Sequence, residues 1–95
     1  MELYIFGRFH AQPGNEAAVA DAIAEVLRST GQEPGCVSIH AFRSTRDARL
    51  FYIHSRWIDE EAFEAHTTLP HTVRFIERVT PMIDHPLDVT RTLRI

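Results

Sequence analysis

The chain has 95 residues, 44% of them hydrophobic and 24% charged, with a formal net charge of −3. This is the composition of an ordinary globular protein. The weak negative charge argues against a nucleic-acid partner, whose footprint is a basic patch, and no apolar run approaches the roughly 18 residues of a membrane span. A single domain over residues 1–95 is expected. A chain this short leaves about a third or more of its unfolded-state surface exposed, so a partner chain would help it. The opening stretch MELYIFGRFH has neither a basic n-region nor a small-residue cleavage site, so no export signal is expected. Cys36 is alone and excludes an intramolecular disulfide, which fits a reducing cytoplasm.

Residues 3–10, LYIFGRFH, are rich in aromatic and β-branched types and predict a strand. AQPGN is a turn signal, with Asn15 as N-cap and Glu16 in the first turn of the helix that follows. In that helix Val19, Ala22, Ile23, Val26 and Leu27 form one apolar stripe, and Gly31 is a fitting stop. EPG is a second turn; CVSIHAF at 36–42 and RLFYIHSRW at 49–57 are strands joined by a polar loop. Asp59 caps a helix that should run to about Leu69, and Pro70 then opens another. This last helix carries Thr72, Phe75, Ile76, Val79 and Ile83 at helical spacing, with Pro81 near its end. Residues 86–95 predict a closing strand.

The order is β-α-β-β-α-β with the second helix broken in two, the α+β ferredoxin-like arrangement. Its four-stranded antiparallel sheet has helices on one face and strands 1 and 3 in the middle. Both central strands carry large apolar residues on both faces. Leu3, Ile5 and Phe9 oppose Tyr4 and Phe6, while Phe51 and Ile53 oppose Leu50 and Tyr52. Helices can cover only one side. Burying one such side chain contributes about 1.5–3 kcal/mol, so a second copy packed sheet to sheet, an isologous homodimer, is expected.

Several short motifs occur in a fixed order: PGN before the first helix, EPGC entering the second strand, RW-x-D-x-x-AF-x-x-H after the third, and PH-x-x-x-F opening the last helix. This set, spanning almost the whole chain, resembles the antibiotic biosynthesis monooxygenase family. The resemblance implies a dimeric α/β barrel. It also implies oxidation of anthrone-type, phenolic or quinol aromatics by molecular oxygen, without metal or flavin. The chain departs from the family in three ways. Ser55 stands where Glu is frequent two residues before the Trp, Asn15 is the only Asn and reads as a cap, and Trp57 is the only Trp. The first strand has no Asn and TVRFIERV has no His, which disfavours the haem-degrading branch. A non-catalytic dimeric barrel that binds a small ligand is the alternative.

His66 follows Ala62 by four residues and Phe63 by three, so it shares their sheet-facing side. His71 precedes Phe75 by four. In an unbroken helix the two histidines would diverge by about 140°, and the Pro70 break lets them converge. As metal ligands they read poorly: there is no i,i+4 pair, no His-Glu-x-x-His and no thiolate cluster, so no metal and no cofactor are expected. As catalytic groups, a neutral imidazole can take a phenolic proton. The other reading makes them packing or capping residues bonded across the break. Trp57, Phe63, Phe75, Tyr52 and His54 complete the expected contacts to a small aromatic substrate, although Trp57 also reads as a core or interface aromatic. Phe51, Ile53, Ser55 and Trp57 share one face of their strand and Tyr52, His54 and Arg56 the other, with either face free to look at the helices. His10 and His85 read as ordinary surface residues.

Overall fold

Alternation along β1 (Leu3–His10) sends Leu3, Ile5, Gly7 and Phe9 to one side and Tyr4, Phe6 and Arg8 to the other. In the computed structural model, which describes Met1–Ile95, Leu3, Ile5 and Phe9 are buried and Phe6 is half exposed. The remaining elements are α1 (Glu16–Thr30), β2 (Cys36–Arg43), β3 (Leu50–Trp57), α2 (Glu60–Thr67), α3 (Pro70–Val79), a 3-10 turn at Thr80–Met82, and β4 (Asp88–Thr92). The antiparallel sheet runs β2-β3-β1-β4, which is the expected ferredoxin-like order. β4 is shorter than the expected 86–95. Pro86 has no N–H to give a ladder, and Thr92 already pairs with Tyr4 at the start of β1.

The apolar stripe of α1 lies on the sheet as predicted. Val19, Ala22, Ile23 and Val26 join Phe9, Phe51, Phe75, Val79 and Ile83 in the main core. Leu3, Ile5, Trp57 and Phe63 form a second cluster under α2. The caps differ between helices. Asp59 Oδ1 accepts the Ala62 N–H at 2.8 Å, whereas the Asn15 side chain makes no cap bond. At α1 the Glu16 carboxylate instead accepts the Gly14 N–H at 3.1 Å, in a turn that Gly14 closes at φ +89°.

Where α2 stops is decided by threonines. The hydroxyls of Thr67 and Thr68 bond back to the carbonyls of Glu64 and Ala65, so the helix ends earlier than the expected Leu69. Leu69 then takes an extended conformation before Pro70, as a residue preceding proline prefers. α2 is seated on Gly35, where a Cβ would lie 2.5 Å from that of Ala62. Any side chain there would push α2 off the start of β2.

The surface reading of His10 is corrected. Its ring lies between two carboxylates, with Nδ1 2.6 Å from Asp84 Oδ2 and Nε2 2.8 Å from Asp47 Oδ2, and its side chain is 17% exposed. His85 is tied in too, its Nε2 accepting the His10 N–H at 3.0 Å. The bond to Asp84, then that to Asp47, raises the pKa of His10 above its usual 6.5. The same bond to His10 lowers that of Asp84. For Asp47 the Arg49 N–H is the first cause of the lowering and His10 the second. A raised imidazole pKa stabilises fully below the unfolded value, and that stabilisation is lost as pH rises through the folded one. The lowered carboxylates lose theirs as pH falls through their depressed values. The network is therefore complete in mildly acid solution. The melting temperature should fall as pH is raised from about 6 to about 9, and His10→Gln should flatten that fall. An equal deficit of the variant at both ends would refute the assignment.

Candidate active site

A cavity of about 310 Å³ lies between the helical face of the sheet and α2 and α3. Gly7 makes much of the room. It sits mid-strand, facing inward between Ile53 and Val89, and supplies no side chain. A Cβ there would meet the Phe9 ring at 3.1 Å. Ile5, Ile53 and Ser55 extend the floor, Phe63, His66 and Phe75 form the helical wall, and Val89 and Arg91 of β4 stand at the side. The lining is mainly apolar, which is usual for a site that holds a small organic ligand. The Arg91 guanidinium lies 5.0 Å above the Phe63 ring and is bonded to Glu60 and Glu64, so it brings no free positive charge to the cavity.

Glu33, from the turn between α1 and β2, is the group that the linear pattern did not single out. Its Oε2 lies 2.8 Å from His66 Nδ1 and 2.7 Å from His71 Nε2. The three side chains are only 12% (His66), 19% (His71) and 11% (Glu33) exposed. The hairpin explains the meeting. Cys36 at the start of β2 pairs with Trp57 at the end of β3, so the EPG turn lies beside the segment that enters α2. The Ile58 N–H donates to the Gly35 carbonyl at 3.0 Å. His66 and His71 do converge, with ring centroids 6.0 Å apart, but Glu33 stands between their nitrogens. His66 lines the cavity, whereas His71 lines a separate cleft between α1 and α3.

The expectation of no metal rested on spacing along the chain, which does not record what folding brings together. Glu33, His66 and His71 bring three ligand atoms within 4.8 Å of one another. Folding assembles a donor set that no local motif announced.

The other expected contacts divide. Phe63 and Phe75 line the cavity. Trp57 does not; it is 1% exposed and packs behind His66, centroid to centroid at 4.7 Å. Its indole N–H donates to Ser55 Oγ at 3.0 Å, so the Ser that replaces the family's frequent Glu has a local role in orienting the ring. Tyr52 and His54 are corrected as well. Phe51, Ser55 and Trp57 take the helical face, so strand alternation sends Tyr52 and His54 to the outer one. There they border a shallow hollow with Phe6 and Phe42. His54 packs against Phe6, with centroids 4.7 Å apart. Burial, then the nearby Glu33 charge, pushes the pKa of Cys36 up.

No helix is long and apolar enough to cross a membrane. No curated protein matches the sequence. Several solved structures share the fold. They include Rv0793 from Mycobacterium tuberculosis, 20% identical with a TM-score of 0.94 over 100% of this chain and 96% of that one. PA3566 from Pseudomonas aeruginosa is 22% identical, with a TM-score of 0.91 over 99% and 94%. A variant of SnoaB, a cofactor-independent oxygenase from Streptomyces nogalater, is 16% identical, with a TM-score of 0.87 over 98% and 92%. At these identities the likeness speaks for the fold alone. In sequence, residues 3–78 match the description of the antibiotic biosynthesis monooxygenase family. With most of its length matched and its whole fold shared, the chain belongs to that family.

Proposed function

We propose that the protein oxidises an electron-rich aromatic of the phenol, anthrone or hydroquinone type with molecular oxygen, with His66 as the base. The observation that carries this reading is the contact of Glu33 Oε2 with His66 Nδ1. An ionised carboxylate only accepts hydrogen bonds. Nδ1 therefore carries the hydrogen, and the lone pair of the neutral ring is on Nε2. This is the orienting role a carboxylate plays behind a catalytic histidine. His66 presents that ring to a mainly apolar cavity, whose other polar lining residues are Thr30, Ser55, Thr67, Thr72 and the paired Arg91.

The substrate proton passes to Nε2, and Glu33 stabilises the imidazolium. The substrate anion gives one electron to oxygen, and the radical pair recombines to form a carbon–oxygen bond. Loss of water from the peroxide leaves a ketone. For an anthrone the methylene carbon becomes a carbonyl, one oxygen atom enters the product and the other leaves as water. All four electrons come from the substrate, so no outside reductant is required.

The same reading pairs two copies through the outer sheet face, with a small aromatic as the ligand of each. The likeness to SnoaB supports the reaction class by analogy only. An oxygen electrode run against a panel of anthrones and hydroquinones is the test. Uptake above the rate of spontaneous oxidation is expected, with one labelled atom from ¹⁸O₂ in the ketone. Aromatic binding with no uptake across the panel would overturn the oxygenase reading and leave a ligand-binding module.

A further inference from the structure

We propose that Glu33, His66 and His71 form a binding site for a divalent transition-metal ion of the Zn²⁺ class, and that the bound ion switches His66 off as a base. The second half rests on the function proposed above; the first half does not. Two imidazole nitrogens and one carboxylate oxygen are the donors of a three-ligand zinc site that keeps its fourth position open. Borderline nitrogen donors select late divalent metals over Mg²⁺ and Ca²⁺.

The geometry is close to what such an ion requires. The ligand atoms lie within 4.8 Å of one another, with Glu33 Oε2 at 2.8 and 2.7 Å from the two nitrogens. Around a tetrahedral Zn²⁺ with bonds of about 2.1 Å, donors stand roughly 3.4 Å apart. The carboxylate has to withdraw by about 0.6–0.7 Å from each ring, and ligand atoms that lie up to 4.8 Å apart have to close toward that spacing.

The set is also preorganised. The His66 ring is held by Trp57 and Phe63 at centroid distances of 4.7 and 5.5 Å. His71 sits in the first turn of α3, directly after Pro70. Little side-chain freedom remains to be lost on binding. One ligand is also open to a second cleft. His71 borders the cleft between α1 and α3, which is about 470 Å³ and is also lined by Glu25, Glu77, Arg74 and Arg78. An ion can reach His71 without crossing the apolar cavity.

Occupancy has a chemical consequence. The ion takes the lone pair of His66 Nδ1, so the ring hydrogen must reside on Nε2. The cavity-side nitrogen changes from acceptor to donor and can no longer take a proton.

Equilibrium dialysis of chelator-stripped protein against Zn²⁺, followed by elemental analysis, tests the site with no substrate present. One ion per chain is expected. Glu33→Gln and His71→Ala should each weaken binding at least about tenfold, while His85→Ala should not. If Glu33→Gln loses its cooperative melt, His71→Ala carries the test, and replacing Zn²⁺ by Co²⁺ should give a visible absorption that this variant lacks. Failure to bind, unchanged affinity in His71→Ala, or loss in His85→Ala would overturn the site. Where an oxidisable aromatic is in hand, Zn²⁺ should inhibit oxygen uptake with the midpoint of binding, and a chelator should restore it. Binding without inhibition would overturn the switch. Absence of oxidation altogether would overturn the proposed function and leave the dialysis result standing.

Discussion

His66→Asn should lower turnover by about 10²–10⁴-fold. The asparagine amide can stand in for the Nδ1–H donor to Glu33, but it offers nothing in place of the Nε2 lone pair. His66→Ala should lose as much turnover and more stability. The imidazole packs on Trp57 and Phe63, and its removal also strips Glu33 of one of its two ring partners. A truncation of that kind costs about 1–3 kcal/mol. The pair of variants therefore separates chemistry from folding. Turnover should be lost in both, with the melting temperature of the Asn variant nearer the parent. Parental turnover in His66→Asn would remove His66 from the reaction. Activity that falls only in proportion to stability would make it a packing residue.

Phe6→Asp combined with Phe42→Asp should break the proposed dimer into monomers. The outer face of the sheet leaves Phe6 50%, Phe42 55% and Tyr52 40% exposed around one hollow. Each of these rings gains about 1.5–3 kcal/mol when fully buried, and a carboxylate with no partner in the same place is strongly disfavoured. Sedimentation of the parent at micromolar concentration should report about twice the 10.9 kDa chain mass. The double variant should report that mass once and keep its helices, because neither residue belongs to the main core beneath α1 and α3. A parent that sediments as a monomer would refute the dimer.

Much of the candidate site was within reach of a linear reading. The Ala62–Phe63 stripe correctly turned His66 toward the sheet, because helical periodicity is a local property. Phe63 and Phe75 followed for the same reason. Trp57 was read correctly as a core aromatic, and less well as a ligand contact. The distinction depends on whether a cavity lies in front of the ring or behind it. Here His66 stands between the indole and the cavity, and no spacing along the chain records that order.

Glu33 was missed although it sits in the quoted EPGC stretch. Nothing in a turn marks its first residue as a partner for side chains 33 and 38 positions later. The clue was the hairpin. Antiparallel pairing of β2 with β3 puts the beginning of one beside the end of the other, so the turn before β2 must lie near the entry to α2. His10 was misread for a related reason. Its two carboxylates come from the β2–β3 loop and the segment before β4.

What the sequence determined by itself is the order of the elements, the bounds of β1, α1 and the β2–β3 hairpin, and the stripes by which α1, α2 and α3 dock. It also determined the two-faced apolar character of β1 and β3. These follow from periodicities of 3.6 and 2 residues and from cap, glycine and proline chemistry, all acting within a few positions. Only the tertiary structure decided which face of β3 meets the helices. Alternation assigns residues to two sides and is symmetric between them, and the choice is made by how well Trp57, Phe51 and Ser55 pack under α2 and α1. The tertiary structure also decided that a single carboxylate joins both histidines. That contact depends on strand pairing and on the Gly35 seat of α2, which act between residues far apart in the chain.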